Sequence, residues 1–142
     1  MFLNYAFYVL FSVPISNFLK KLIARPRPKN PEEGAPNRRY FNLRGHENNC
    51  SLPSGDTLQS AIFIGFCAYN LPNFYNFMGG TSFGFKHIVL VASARVFYHC
   101  HYIGDTIAGC AVGLFLSYIY YNFETHLICD SIVSQFISAN II

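Results

Sequence analysis

The chain has 142 residues, enough for one domain, and only 12% of them are charged, against roughly 25% in a typical soluble domain. The aromatic fraction of 18% excludes intrinsic disorder, because disordered chains carry few aromatic side chains. Three long stretches, 1–19, 57–85 and 106–123, contain no charged residue. These stretches argue against an ordinary soluble fold and predict a small polytopic membrane protein built as an all-α helical bundle.

The few charges of the chain are concentrated in one region. Eight of the ten basic residues lie between Lys20 and Arg44, where only Glu32 and Glu33 oppose them. Such a basic patch can meet nucleic acid, anionic lipid or a phosphorylated small substrate. The flanking membrane segments favour the last two, so we expect a membrane lipid phosphate as substrate and no nucleic-acid partner.

In chain order, the sequence predicts one membrane-embedded domain over 1–142 with four parts. Residues 1–19 form a membrane-spanning helix, 20–55 an active-site loop, 56–123 three further membrane helices, and 124–142 an amphipathic tail. The loop is rich in proline, glycine and asparagine, which interrupt regular structure. Long loops of this kind are usually functional or disordered, and the arginines in this one indicate function.

The three helices after the loop are predicted over 54–70, 85–98 and 104–123, with a turn region between the first two of them. In the last helix, Gly109 and Gly113 have the GxxxG spacing of a close-packing face, although chance explains the spacing equally well. If each helix crosses the membrane once, the first loop and the last helix connection lie on the same side. The unusual polar residues of the chain lie at those points, which predicts one site at one end of the bundle.

Three short motifs carry these polar residues. They are Lys20-x6-Arg27-Pro28, Pro53-Ser54-Gly55-Asp56 and Ala94-Arg95-x5-His101-x3-Asp105. In this order and at these intervals they resemble the type-2 phosphatidic acid phosphatase superfamily, whose signature is Lys-x6-Arg-Pro, Pro-Ser-Gly-His and Ser-Arg-x5-His-x3-Asp. The resemblance implies a histidine that attacks phosphorus, a phosphohistidine that water hydrolyses, and no metal.

The residue types support these roles on their own chemistry. A phosphate monoester carries nearly two negative charges, so its transfer depends on positioning and charge stabilisation. Lys20, Arg27 and Arg95 supply three cations for the substrate phosphate. Ser54 and Gly55 lie at a predicted helix start, where backbone N–H groups and the helix dipole can bind phosphate oxygens.

Arg95 has a structural alternative. It lies on an otherwise apolar helix, where an unpaired charge at the bilayer centre would cost roughly 2.5 kcal/mol or more. Pairing with phosphate explains its presence, and a salt bridge to Asp105 or Asp56 would explain it as well. Other basic residues of the loop, Arg25 and Lys29 among them, are expected to face headgroups or solvent.

His101 and Asp105 are expected to work as a catalytic pair. They are four residues apart, so they face the same way on a helical turn. A carboxylate on one ring nitrogen fixes the tautomer and leaves the other nitrogen free to attack phosphorus. His99 and His101 also raise the alternative of a metal site, but no second pair of ligands is evident. We therefore expect neither a metal nor another cofactor.

Asp56 departs from the family signature, which has a histidine there to protonate the leaving oxygen. A carboxyl group with an ordinary pKa of about 3.9 is ionised at neutral pH and has no proton to give. Three outcomes are open. Burial could raise the pKa of Asp56 and make it a general acid, the substrate could be a diphosphate with a better leaving group, or the site could bind phosphate and turn over poorly.

The sequence therefore predicts a membrane phosphatase for a lipid phosphate or an isoprenoid diphosphate. The alternatives are a lipid phosphotransferase of the sphingolipid-synthase kind and a catalytically impaired protein that binds lipid phosphate. Family members usually have about six helices, so the four predicted here correspond to the C-terminal part of that core. A second copy of the chain or a partner chain could supply the missing helices.

The side of the membrane on which the site lies is indicated by conflicting signals. The positive-inside rule places the loop from Lys20 to Arg44 in the cytoplasm. The family resemblance and a glycosylation sequon at Asn49 indicate a lumenal or extracytoplasmic face. We expect that face, in the endoplasmic reticulum or the plasma membrane.

Overall fold

The computed structural model describes residues 2–122, apart from the side chain of Phe2, and this part of the chain is an all-α bundle without strands. The helices are α1 (Phe2–Ile23), α2 (Gly55–Asn70), α3 (Pro72–Phe77), α4 (Gly80–Phe97) and α5 (Ile103–Asn122), with one 3-10 turn at Leu43–His46. The all-α fold predicted from the sequence is confirmed. The predicted amphipathic tail over 124–142 lies outside the described residues.

The region between α2 and α4 is more helical than predicted. A short helix, α3, begins at Pro72, a residue suited to the first turn because it has no N–H to leave unpaired. Gly79 and Gly80 then adopt left-handed φ angles of 106° and 55°, which a glycine tolerates, and α4 begins at Gly80 rather than near residue 85. The sequence did not show this early start because residues 81–84 are mostly small or polar.

Two helices of the described part are long and apolar enough to cross a membrane, over Leu3–Ile23 and Ile103–Asn122. The helices α2 and α4 have 16 and 18 residues, which at 1.5 Å per residue gives lengths of about 24 and 27 Å. A bilayer core is about 30 Å thick. The crossing of the membrane by α2 and α4, and hence the predicted count of four spans, stays a prediction.

The helix α2 lies at the centre of the bundle and packs against each of the other four α-helices. Its side chains Leu58 and Ile62 are fully buried and form a core with Tyr8 and Leu116. The outer helices present large apolar side chains outward instead. Leu10, Leu90 and Phe115 are 68%, 72% and 61% exposed. An apolar exterior around a small core is expected of a helical bundle that lies in lipid.

The closest helix contact in the bundle is between α2 and α5, and it depends on glycine. A Cβ atom on Gly109 would lie 2.5 Å from the backbone oxygen of Ser54. A Cβ on Gly113 would clash with the backbone oxygen of Leu58. The GxxxG spacing is therefore the face on which α5 approaches α2, and the chance explanation is not needed. This contact places the first turn of α5 beside the first turn of α2.

Replacing Gly109 with alanine is expected to destabilise the bundle, because the new Cβ would clash with a backbone atom of α2. Overpacking a tight contact costs about 1–3 kcal/mol, which should lower the midpoint of thermal unfolding in detergent by roughly 3–10 °C. Gly104→Ala on the same helix is the control, because its Cβ would meet only Arg25 Nη1 at 3.5 Å. An unchanged midpoint for Gly109→Ala would contradict the close contact.

Candidate active site

The predicted site residues meet at one end of the bundle, where α1 and α4 end and α2 and α5 begin. The last turn of α1 carries Lys20, and the last turn of α4 carries Arg95. Asp105 lies in the first turn of α5. The motif residues Lys20, Arg27, His101 and Asp105 are all buried. Burial of so many polar groups in a small bundle indicates a functional site.

The Arg27 guanidinium group holds the loop against the predicted nucleophile. It donates hydrogen bonds to the backbone oxygens of Asn49 at 2.8 Å and Cys100 at 2.7 Å. Its Nη1 lies 3.1 Å from Nε2 of His101, and its Nη2 lies 2.9 Å from Oε2 of Glu47. One arginine thus positions both the loop and the histidine.

The backbone at the end of α4 places His101. His99 has a left-handed φ of 57°, and its N–H donates to the carbonyl of Val96 at 3.0 Å. The N–H of Cys100 donates to the carbonyl of Arg95, also at 3.0 Å. This pair of bonds is a Schellman motif, which ends a helix and reverses the chain. His99 therefore contributes its backbone conformation, and no cluster of metal-binding side chains is found among residues 2–122.

The Asp105 carboxylate is fully buried and its orientation is fixed by four neighbours. Its Oδ2 accepts hydrogen bonds from the Ser51 hydroxyl and from the N–H of Tyr102, the latter at 2.8 Å, and lies 3.7 Å from Nδ1 of His101. Its Oδ1 forms an ion pair with Nη1 of Arg25 at 3.0 Å. The Ser51 hydroxyl also lies 3.5 Å from Nδ1 of His101. The carboxylate and the hydroxyl together face one nitrogen of the imidazole.

The expectation that Arg25 faces headgroups or solvent is wrong. The side chain is partly buried by its ion pair with Asp105 and lies over the ring of Tyr102, 4.6 Å from the centroid. Sequence reasoning also missed Ser51 and Glu47, because no motif or periodicity marks a residue within an irregular loop. The only available signal was the unusual number of arginines there, each of which needs a partner when it is buried.

Ser54 has a structural role that the sequence did not reveal. Its N–H donates to the backbone oxygen of Asp105 at 2.9 Å, and its hydroxyl lies 3.1 Å from that of Thr57. The Ser54 N–H is therefore engaged within the protein, and its role as a phosphate donor stays a prediction. Gly55 is the first residue of α2, where a backbone N–H has no partner within the helix. Of the two residues, Gly55 is therefore the one whose N–H is expected to bind a phosphate oxygen.

Two carboxylates pair with Arg95. Oδ2 of Asp56 lies 2.8 Å from Nε of Arg95, and Glu47 pairs with Nη2 of the same guanidinium group. The salt bridge to Asp56 that was the alternative explanation for Arg95 is therefore present. The Asp56 side chain is 57% exposed, so the burial that was to make it a general acid is absent. The exposure of the side chain does not support that first outcome, and the role of Asp56 stays a prediction.

The electrostatics of the site favour a neutral histidine and an ionised Glu47. Burial, with help from the nearby cations Arg27, Arg95 and Lys20, lowers the pKa of His101 from 6.5 to about 4, and Asp105 only partly opposes this. The imidazole is therefore uncharged at neutral pH, which is the nucleophilic form. Burial opposes the ionisation of Glu47, but Arg27 and Arg95 outweigh it and lower the pKa of that carboxyl group.

A cavity of about 610 Å³ opens beside the site, between the end of α1 and the loop, and its lining does not include His101 or Arg95. Lys20 and Arg27 form part of its wall, and Glu47 and Asn49 line it from the loop. The Asn49 amide oxygen accepts hydrogen bonds from Arg27 and, at 3.4 Å, from Nζ of Lys20. Asn49 is exposed, so the sequon remains a signal for the lumenal face.

The lowered pKa of His101 predicts a pH-dependent stability. The unfolded chain binds a proton near pH 6.5, whereas the folded chain binds it only near pH 4. The free energy of unfolding should therefore fall by up to about 1.4 kcal/mol per unit as the pH drops through that window. Thermal unfolding in detergent between pH 4.5 and 7.5 measures this slope. His101→Gln should have a shallower slope, and equal slopes in the two proteins would contradict the shift.

A comparison with models of known protein families identifies a family for this chain. The family model described as the PAP2 superfamily matches residues 2–129, which include all three motifs and every site residue described above. No curated protein and no solved structure matches the chain. Because the family model covers more than half of the sequence, the chain belongs to the PAP2 superfamily, a family of phosphatases that act on phosphate esters.

Proposed function

We propose that the protein is a membrane-embedded phosphatase that hydrolyses a lipid phosphate or an isoprenoid diphosphate through a phosphohistidine on His101. One observation carries the proposal. A buried imidazole lies beside a fixed carboxylate and a cluster of cations, at the end of a bundle in which α1 and α5 are apolar and long enough to cross a membrane. A neutral nucleophile among cations suits attack on an anionic phosphate.

The contacts of the imidazole suggest which nitrogen attacks. Nδ1 faces the carboxylate of Asp105 and the hydroxyl of Ser51, so the proton is expected on Nδ1. Nε2 then carries the free electron pair and faces Nη1 of Arg27, which donates to it at 3.1 Å. A phosphate that pairs with Arg27 would bring its phosphorus atom to the side of the ring where Nε2 lies.

The proposed reaction has two steps and uses no metal. The electron pair of Nε2 forms a P–N bond while the P–O bond to the leaving group breaks, and that bonding pair departs with the leaving oxygen. The ring becomes cationic, and the Asp105 carboxylate stabilises it. Water then attacks phosphorus, the P–N electron pair returns to Nε2, and inorganic phosphate and a proton are released. The side chains of Lys20, Arg27 and Arg95 balance the phosphoryl charge throughout.

The environment of Asp56 favours a diphosphate over a monoester. An alkoxide leaving group needs a proton, and Asp56 is exposed and paired with Arg95 rather than buried as a general acid would be. A leaving phosphate is a much weaker base and departs without that proton. The ion pair with Asp56 instead holds Arg95 at the rim of the site.

An apolar groove supports a substrate with a lipid chain. It has a volume of about 580 Å³ and runs between α2, α4 and α5. At the end nearest the site it is lined by Thr57 and Thr106, the sequence neighbours of Asp56 and Asp105. It continues along α2 as far as Ile64, seven residues or about 10 Å away. A hydrocarbon chain attached to a bound phosphate would fit this groove.

Two rival functions differ from the proposal in chemistry. A lipid phosphotransferase would use the same His101 and Asp105, but the set of Lys20, Arg27 and Arg95 favours hydrolysis, because a free terminal phosphoryl group needs those cations. A protein that only binds lipid phosphate would need no covalent step. The exposure of Asp56 favours this second rival, so the covalent intermediate is the decisive test.

Two other expectations stay proposals. A lumenal or extracytoplasmic site in the endoplasmic reticulum or plasma membrane rests on the family resemblance and on the sequon at Asn49, an exposed residue at the wall of the cavity. A second copy or a partner chain that supplies further helices is supported by the apolar outer faces of the bundle, although lipid would cover them equally well.

Trapping of the intermediate tests the nucleophile. Wild type mixed with lipid phosphate labelled in the phosphoryl group and quenched in base should carry label that acid removes. His101→Gln should carry no label and lose at least about a thousandfold in rate, because the nucleophile is gone. His99→Asn is the matched control, since asparagine tolerates the left-handed backbone there and should keep both label and rate. Label on His101→Gln would refute the assignment.

Substitution of Asp56 tests whether the leaving group is a phosphate, which needs no general acid, or an alkoxide, which does. Wild type should hydrolyse a polyprenyl diphosphate faster than phosphatidic acid, and both faster than a water-soluble phosphate ester that cannot use the groove. Asp56→His should raise the rate on phosphatidic acid by about a hundredfold, the lower limit for a general acid, and change the diphosphate rate little. Asp56→Asn is the control. A wild type inactive on all three substrates, with activity restored by Asp56→His, would instead support the binding protein.

A further inference from the structure

Glu47 occupies the space between two of the cations that the proposed function assigns to the substrate. Its Oε2 lies 2.9 Å from Nη2 of Arg27, and its Oε1 pairs with Nη2 of Arg95. The two oxygens of one carboxylate thus engage two guanidinium groups that come from the loop and from α4. Two oxygens of a phosphate would engage the same pair of groups in the same way.

The main chain holds Glu47 in this position. It follows directly on the 3-10 turn, and its N–H donates to the carbonyl of Arg44 at 3.1 Å. The Arg44 side chain donates in return to the backbone oxygen of Glu47 at 2.7 Å and to that of Pro28 at 2.9 Å. The backbone is therefore fixed, while the Glu47 side chain is 25% exposed. It can leave the arginines for water without unfolding of the loop.

A bound phosphate would compete with Glu47 for Arg27 and Arg95. The described ion pairs of Arg27 and Arg95 are made with Glu47 and Asp56, both single negative charges. A phosphate dianion offers more charge and more acceptor oxygens to the same guanidinium groups than a carboxylate does. A ligand with a single charge has no such advantage over Glu47.

We propose that Glu47 is an internal anion that competes with phosphate for Arg27 and Arg95, and so lowers the affinity of the site for both substrate and product phosphate. The inference rests on the proposed function, which assigns these arginines to the phosphoryl group. Glu47 then selects for dianionic phosphates and diphosphates over singly charged phosphodiesters. It also helps release the product, because the carboxylate returns to the arginines as inorganic phosphate leaves.

The test measures phosphate binding and catalysis separately. Inorganic phosphate is titrated into the purified full-length chain in detergent by calorimetry, for wild type, Glu47→Gln, Glu47→Asp and Glu33→Gln. Glu47→Gln keeps the shape but loses the charge and should bind phosphate about tenfold more tightly. Glu47→Asp keeps the charge on a shorter side chain and should show a smaller gain. Glu33→Gln removes an exposed acid from the same loop and should match wild type.

The sign of the change distinguishes competition from a structural role. Competition predicts a lower Kd for phosphate, a lower KM and stronger inhibition by phosphate in Glu47→Gln. If Glu47 only braced the loop, its loss would weaken binding and lower the melting temperature. Unchanged or weaker binding in folded Glu47→Gln overturns the inference, and Glu47→Asp decides in the same way if Glu47→Gln does not fold. Tighter binding without turnover on any substrate would sustain the inference and refute the proposed phosphatase.

Discussion

The close approach of α5 to α2 is the constraint on which the site depends. Because Gly109 has no side chain, the two helix starts come near enough for the Ser54 N–H to bond to the Asp105 carbonyl at 2.9 Å. That bond fixes the register between the second and third motifs. Asp105 is then in place to meet the histidine from the α4–α5 connection. A packing feature in the bundle interior therefore determines the geometry of the polar end.

Around Asp105 and His101, the rest of the site is formed by residues of the loop. Arg25 and Ser51 converge on Asp105, and Arg27 ties the loop to His101. An irregular segment is thereby ordered through buried charges rather than through apolar packing. Such ordering is expected where the desolvation cost of each cation must be offset by a specific partner.

The sequence predicted well those parts of the molecule that depend on short spacings. The charge-free stretches predicted the helical fold. The four-residue interval predicted that His101 and Asp105 would lie near each other, although His101 lies in the connection before α5 rather than on a helical turn. The partners of Asp105 and of the arginines could not be predicted. Arg25 lies 80 positions from Asp105, and Glu47 lies 48 from Arg95. Pairs so distant are chosen by the tertiary fold, and residues in a loop without periodicity give no sign of which way they face.

The contact between Arg27 and Nε2 of His101 has a consequence for the reactivity of the histidine. Nη1 of the guanidinium group lies 3.1 Å from Nε2, the nitrogen that the proposed tautomer leaves unprotonated. Nη2 of the same group pairs with Glu47, so one guanidinium group is divided between a carboxylate and the imidazole. An electrophile without a negative charge cannot compete for Arg27 and meets a nitrogen that already faces the guanidinium group. Under the proposed function, the availability of that nitrogen therefore depends on what binds Arg27.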